Sequence, residues 1–175
     1  MNHDSYDNAY IAAILKDVRT IAMVGASQNT SRPSYFAMKY LLSKGYTVIP
    51  VNPGLAGQEL LGQTVAASLA DIATPVDMVD IFRNSEAALE VTKEAIAIGA
   101  KVVWMQLGVR NEAAAALAEA AGLRVVMNRC PKIEYGRLTG EIGWAGVNAG
   151  VLSSQRAKLG AHGVQNHVLG DDKGS

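Results

Sequence analysis

The feature that most constrains this chain is an alternation. Five short apolar runs, Ile21–Val24, Thr47–Val51, Met78–Phe82, Val102–Gln106 and Val125–Met127, are separated by segments of helical spacing. The runs are rich in Val and Ile and do not switch between apolar and polar at each residue. A strand with one wet face alternates, whereas a strand covered on both faces does not. The helical segments carry their own punctuation. An opening helix over 7–18 places Tyr10, Ile11, Ile14, Leu15 and Val18 on one stripe. A second runs from Pro33 to Lys44 and stops at Gly45. A third spans 85–98, with Ser85 as N-cap, Glu86 in the first turn and Gly99 at the end. A fourth spans 111–121 between Asn111 and Gly122. Residues 58–72 are weaker, with a short helix suggested at Leu69–Ile72.

Strand–helix repetition over about 110 residues predicts an α/β fold. The expected architecture is a doubly wound five-stranded parallel sheet, a Rossmann-like three-layer sandwich in a single domain. The domain is expected over residues 1–150, with a partly disordered C-terminal extension over 151–175 that turns polar and Gly-rich.

Composition narrows the class of function. Sixteen basic and sixteen acidic side chains cancel among 175 residues, so charge does not point to nucleic acid or an anionic membrane. No apolar run approaches the length of a membrane span, and the first residues lack the pattern of a signal peptide. The single cysteine, Cys130, excludes an internal disulfide framework and fits a reducing compartment. The expectation is a cytoplasmic protein.

In a doubly wound sheet, ligands bind beyond the carboxyl ends of the strands. The segments expected there are Gly25–Ser34, Asn52–Pro53, Phe82–Arg83, Gln106–Gly108 and Asn128–Pro131. The first is the most telling. Gly25 lets the chain turn off the strand, and Pro33 suits a first helical position. The free N–H groups of a first helical turn favour an anion. Ser27, Ser31 and Ser34 add hydroxyls, and Arg32 adds a planar charged fork suited to phosphate. Taken singly, each serine reads as a cap of the loop; taken together with Arg32 at a helix mouth, the set points to a phosphorylated ligand. The dinucleotide fingerprint G-x-G-x-x-G is absent, since no glycine follows Gly25 until Gly45, and no G-K-[ST] follows. The second strand ends V-I-P-V-N-P, with Asn52 where an NAD site usually carries an acid.

The stretches V-G-A-S-Q-N-T-S-R-P-S-Y, V-I-P-V-N-P-G, V-D-I-F-R, V-W-M-Q-L-G-V and R-C-P-K-I-E-Y-G-R-L fall in order at these strand ends. Together they resemble the small single-domain CoA-binding proteins, which are similar to the N-terminal CoA-binding domain of the succinyl-CoA synthetase α subunit. The resemblance runs from about residue 15 to 140. It implies coenzyme A as ligand, with Gly25, Ala26, Ser27, Arg32, Pro33 and Ser34 facing the phosphates. Val51, Asn52 and Pro53 would flank the nucleotide, and Ile81, Phe82 and Arg83 would line the other side. An acid at position 52 would repel the 3′-phosphate of CoA, and Asn does not. The synthetase also carries a phosphorylated histidine in a second domain. Here His3, His162 and His167 all sit in terminal segments, so non-catalytic binding of CoA or acyl-CoA is the leading reading. The alternatives are an NAD(P)-dependent oxidoreductase, or a CoA-linked transferase acting with another chain.

Other residues have competing readings. Cys130 is either an inert, part-buried thiol or a partner for the CoA thiol, with Arg129 beside it. Arg83 is a phosphate ligand or pairs with Glu86. Gln106 is a ligand candidate at a strand end, whereas Trp104 and Met105 read as packing. Lys132, Glu134 and Arg137 read as surface ion pairs of small individual worth. A homodimer is conceivable through Tyr135–Ala149, where Ile142, Trp144 and Val147 are apolar.

Overall fold

The computed structural model describes residues 1–140. The expected domain end at residue 150, the C-terminal extension, His162, His167 and the apolar Ile142, Trp144 and Val147 lie outside the described residues.

Helix α1 (Asn8–Asp17) leads into strand β1 (Thr20–Val24), helix α2 (Pro33–Ser43) and strand β2 (Thr47–Val51). A small antiparallel hairpin follows, β3 (Glu59–Leu60) and β4 (Gln63–Thr64), and then a 3₁₀ turn at Leu69–Asp71. The chain continues as β5 (Met78–Ile81), α3 (Ala88–Ala97), β6 (Val102–Met105), α4 (Glu112–Ala120), β7 (Arg124–Val126) and α5 (Pro131–Thr139). The main sheet has the order β2-β1-β5-β6-β7 and is parallel throughout. This is the doubly wound five-stranded fold that the sequence predicts.

The unbroken apolar runs are explained by burial on both faces. Successive strand residues enter opposite layers: Ile21 and Met23 join one apolar cluster, Ala22 and Val24 the other. The first cluster packs under α1, α2 and α5, and the second under α3 and α4. Each fully buried Leu, Ile or Met contributes ~1.5–3 kcal/mol, against ~1 kcal/mol for a helix cap. The two layers therefore decide the architecture, and caps only trim its ends.

The elements depart from expectation in three places, the first being the β3–β4 hairpin, which the weak pattern of residues 58–72 does not announce. Helix α3 starts at Ala88, because the Asn84 side chain accepts from the Ala87 N–H at 2.8 Å and holds a turn there. Ser85 instead accepts from the Arg110 N–H at 2.9 Å and ties two strand ends together. Helix α5 was not expected as a helix. Its signals are Pro131 in the first turn and Gly140 at φ 82° just past the end. It buries Tyr135 and Leu138, so it completes one covering layer.

The edge of the sheet at β7 is closed by the N-terminal segment. The Tyr10 hydroxyl donates to the Val125 carbonyl at 2.9 Å and accepts the Val125 N–H at 3.1 Å. The Tyr6 hydroxyl accepts the Met127 N–H at 2.8 Å. His3, in the N-terminal segment, is only 4% exposed and bonds to Tyr6 and Glu119.

Candidate functional site

Strand β1 lies between β2 and β5, so the chain leaves β1 toward one side of the sheet and returns to build the other. Connections diverge at this point and leave a crevice beyond the strand ends. Gly25 sits there, directly after β1, with φ 90°. A Cβ at Gly25 would lie 2.4 Å from the Phe82 carbonyl oxygen, so positive φ and close approach both require glycine.

Two cavities open over this crevice and share Gly25 and Asn52. The first cavity, 270 Å³, is bounded by the ends of β1 and β2, Ala67–Leu69, Arg83, and Val91 and Glu94 of α3. The loop-side cavity, 350 Å³, is bounded by Gly25–Ser27, Arg32–Ser34, Asn52 and Phe82. Of the thirteen residues expected at the site, eleven line one or both of these cavities: Gly25, Ala26, Ser27, Arg32, Pro33, Ser34, Val51, Asn52, Pro53, Phe82 and Arg83. Gln106 lines a third cavity. Ile81 does not face the site; it is fully buried in the layer under α3, because its place on β5 points it into the sheet.

Arg32 is the N-cap residue of α2 and is exposed. Arg83 is exposed too, and its Cδ would lie 3.2 Å from a Cβ at Gly25. Among the described residues neither guanidinium forms a hydrogen bond or an ion pair, and Arg83 does not pair with Glu86. Two cations therefore flank the Gly25 turn, each with an open fork of donors.

The loop between them satisfies much of its own polarity, as the capping reading of its serines expects. The Gly25 and Ala26 N–H groups donate to the Val51 carbonyl, at 3.0 and 3.4 Å, and so are engaged in the fold. Ser27 Oγ accepts from the Asn29 N–H, and Asn29 Oδ1 accepts from both the Ser31 N–H and the Ser31 hydroxyl. Short polar side chains thus hold the loop in consecutive turns. Ser34 is only 4% exposed. Asn52 is also employed: its Nδ2 donates to the Ala26 carbonyl at 2.8 Å and its Oδ1 accepts from the Gly54 N–H at 2.9 Å.

The remaining candidates divide clearly. Arg129 turns away from Cys130: it donates to the Asp4 carbonyl at 3.0 Å and lies 5.2 Å from the Tyr6 ring centre. Cys130 is a free, buried thiol. Trp104 is fully buried and donates to the Arg129 carbonyl, as packing requires. Glu134 is 8% exposed and accepts from Arg137 at 2.8 Å, so this pair is more buried than a surface reading allows. Sequence reading missed Ala67–Leu69 and Glu94. The first lie in the irregular stretch after β4, and Glu94 sits one face of α3 away from any strand end, so no motif marks them.

Comparison with known proteins places this geometry in context. A family model described as a CoA binding domain matches residues 19–136. The uncharacterized protein YneT of Bacillus subtilis (strain 168) is 37% identical over 127 residues, covering 73% of this chain and 93% of that protein. A hypothetical protein from Pyrococcus horikoshii OT3 superposes with a TM-score of 0.75 at 40% identity, covering 80% of this chain and 97% of that one. The dinucleotide-forming acetyl-coenzyme A synthetase 1 of Ca. Korarchaeum cryptofilum matches with a TM-score of 0.52 at 27% identity, over 61% of this chain and 25% of that one. The family match spans β1 through most of α5, the elements that form the crevice, and the chain belongs to the family of CoA binding domains.

Proposed function

We infer that this protein binds coenzyme A, free or acylated, across the carboxyl edge of its sheet, as a carrier or sensor module without turnover of its own. The observation that carries this reading is the pair of unpaired, exposed arginines, Arg32 and Arg83, on the two sides of the Gly25 turn. CoA bears a diphosphate and a 3′-phosphate, and guanidinium forks match phosphate oxygens in geometry and charge. In this reading the Arg32 guanidinium holds the diphosphate at the mouth of α2, where the Tyr35 and Phe36 N–H groups already donate to the Arg32 carbonyl. Arg83 reaches the 3′-phosphate, and the adenosine lies between Pro53, Leu69 and Val91. Glu94 offers an acceptor to the exocyclic amine of the base.

The uncharged Asn52 at the end of β2 favours CoA over NAD(P), since a carboxylate there would stand beside phosphate. A synthetase-like partner chain is the setting in which such a module would meet acyl transfer. Differential scanning fluorimetry with CoA, NAD, NADP and ATP tests the assignment. CoA is expected to raise the melting temperature most, by mass action on the folded state. Stabilisation by NAD or NADP without any by CoA would replace this reading with an oxidoreductase. Incubation with acetyl-CoA, followed by titration of free thiol, tests the absence of turnover; release of thiol above the buffer rate would make the protein an enzyme.

A further inference from the structure

A third cavity continues the crevice onto the other side of the sheet. It measures 370 Å³ and lies between the first turns of α2 and α5, walled by Phe36, Ala37, Leu107, Cys130 and Ile133, with Gln106 among its lining residues. Pro33 lines both this cavity and the loop-side one, so the two adjoin at the start of α2. The three cavities thus adjoin in a row through shared lining residues, a trough in three sections from α3 past the Gly25 turn to α2 and α5.

The chemistry changes along the trough. The loop-side section carries arginine and hydroxyls, whereas the third is mostly apolar. Phe36, Leu107 and Ile133 are 52%, 52% and 46% exposed, a cost in water that an apolar occupant would relieve. Gln106 adds an independent sign. It is 6% exposed, and its Oε1 is buried with no hydrogen-bond partner. A buried amide oxygen left unpaired is unfavourable, and a turn of the Gln106 side chain, which lines the cavity, would bring it to an N–H donor there.

We propose that this chamber receives the acyl end of a CoA thioester, an aliphatic chain, with Gln106 accepting from an amide N–H of the pantetheine arm. The inference rests on the CoA reading above and adds the class of CoA ester. A molecule whose phosphates lie at Arg32 would run past Pro33, and an apolar acyl group would follow the arm into the walls formed by Phe36, Leu107 and Ile133. Each methylene buried there is worth up to about fourfold in affinity.

Calorimetric titration of the full chain with CoA, acetyl-CoA and hexanoyl-CoA is the test, on the wild type and on the double variant Phe36→Asp, Ile133→Asp. Both positions are on the surface, and a thermal melt confirms that the variant is folded. Hexanoyl-CoA is expected to bind at least tenfold tighter than CoA, and the double variant to lose at least tenfold more affinity for hexanoyl-CoA than for CoA. If CoA binds but hexanoyl-CoA binds no tighter, the acyl chamber is wrong while the CoA reading stands. The same holds if the gain survives in the double variant. If none of the three binds, the CoA reading itself falls and takes the chamber with it.

Discussion

The Asn52 side chain holds the end of β2 to the turn after β1 by donating from Nδ2 to the Ala26 carbonyl at 2.8 Å. Its Oδ1 is taken by the Gly54 N–H. A carboxylate in this place would set two acceptor oxygens against each other, because Asp has no donor to offer Ala26. Asn52→Asp is therefore expected to cost about 1–3 kcal/mol in urea denaturation and to weaken CoA binding by charge repulsion. Asn52→Ala should show the stability loss without the repulsion. Equal CoA affinity in the two variants would remove the electrostatic part of the argument.

Gly25 offers a sharper test of the crevice. Its φ of 90° and the 2.4 Å approach of a Cβ to the Phe82 carbonyl oxygen act together. Gly25→Ala must shift the β5 end or strain the turn, at a cost of about 1–3 kcal/mol or more. Chemical denaturation measures this directly, and a variant as stable as the wild type would show that the turn has room to spare.

Arg32 and Arg83 should separate binding from folding. Both are exposed and unpaired among the described residues, so Arg32→Ala and Arg83→Ala should leave the melting temperature within a degree or so of the wild type, as surface changes do. Each charge-assisted contact to phosphate is worth about 1.5–3 kcal/mol, or roughly ten- to a hundredfold in affinity. Dephospho-CoA, which lacks the 3′-phosphate, should bind wild type and Arg83→Ala alike, yet discriminate wild type from Arg32→Ala. The opposite pattern would exchange the two assignments.

Asp80 predicts a pH dependence of stability. It is fully buried on β5 between Met23 and Trp104, and neither carboxyl oxygen has a hydrogen-bond partner. Burial pushes its carboxyl well above the ordinary carboxylate range. The folded chain then keeps a proton that the unfolded chain releases above about pH 4. The stability from this group is complete below that point and declines as pH rises toward the folded value, with a slope of up to about 1.4 kcal/mol per pH unit. Asp80→Asn should abolish that slope. Parallel stability curves for wild type and Asp80→Asn from pH 4 to 8 would refute it.

Much of the fold can be read from the sequence because burial on both sides writes itself into consecutive residues, as in Ile21–Val24 and Val102–Met105. The candidate crevice is legible for a related reason: the fold dictates that strand ends converge, and Gly25, Arg32, Asn52 and Arg83 all follow strands. What escapes is the partnering of polar groups. Nothing local says that Asn52 will reach Ala26, or which groups of the Ser27–Ser31 loop will pair with one another. The docking of His3 on Glu119 of α4 and of Tyr6 on the end of β7 depends on residues more than a hundred positions away. Helix α5 escapes sequence reading because its apolar spacing is thin, although Pro131 and Gly140 bracket it.

The tyrosines at the rim of β7 have a wider consequence. A bare parallel edge invites another chain to add a strand, and here two phenol oxygens occupy the positions such a strand would use. The opening residues thus act as a clip against strand-wise polymerisation. Removing Met1–Tyr10 should bare the β7 edge and promote edge-to-edge assembly, read by light scattering, and tags placed at that end call for a spacer that leaves the clip in place.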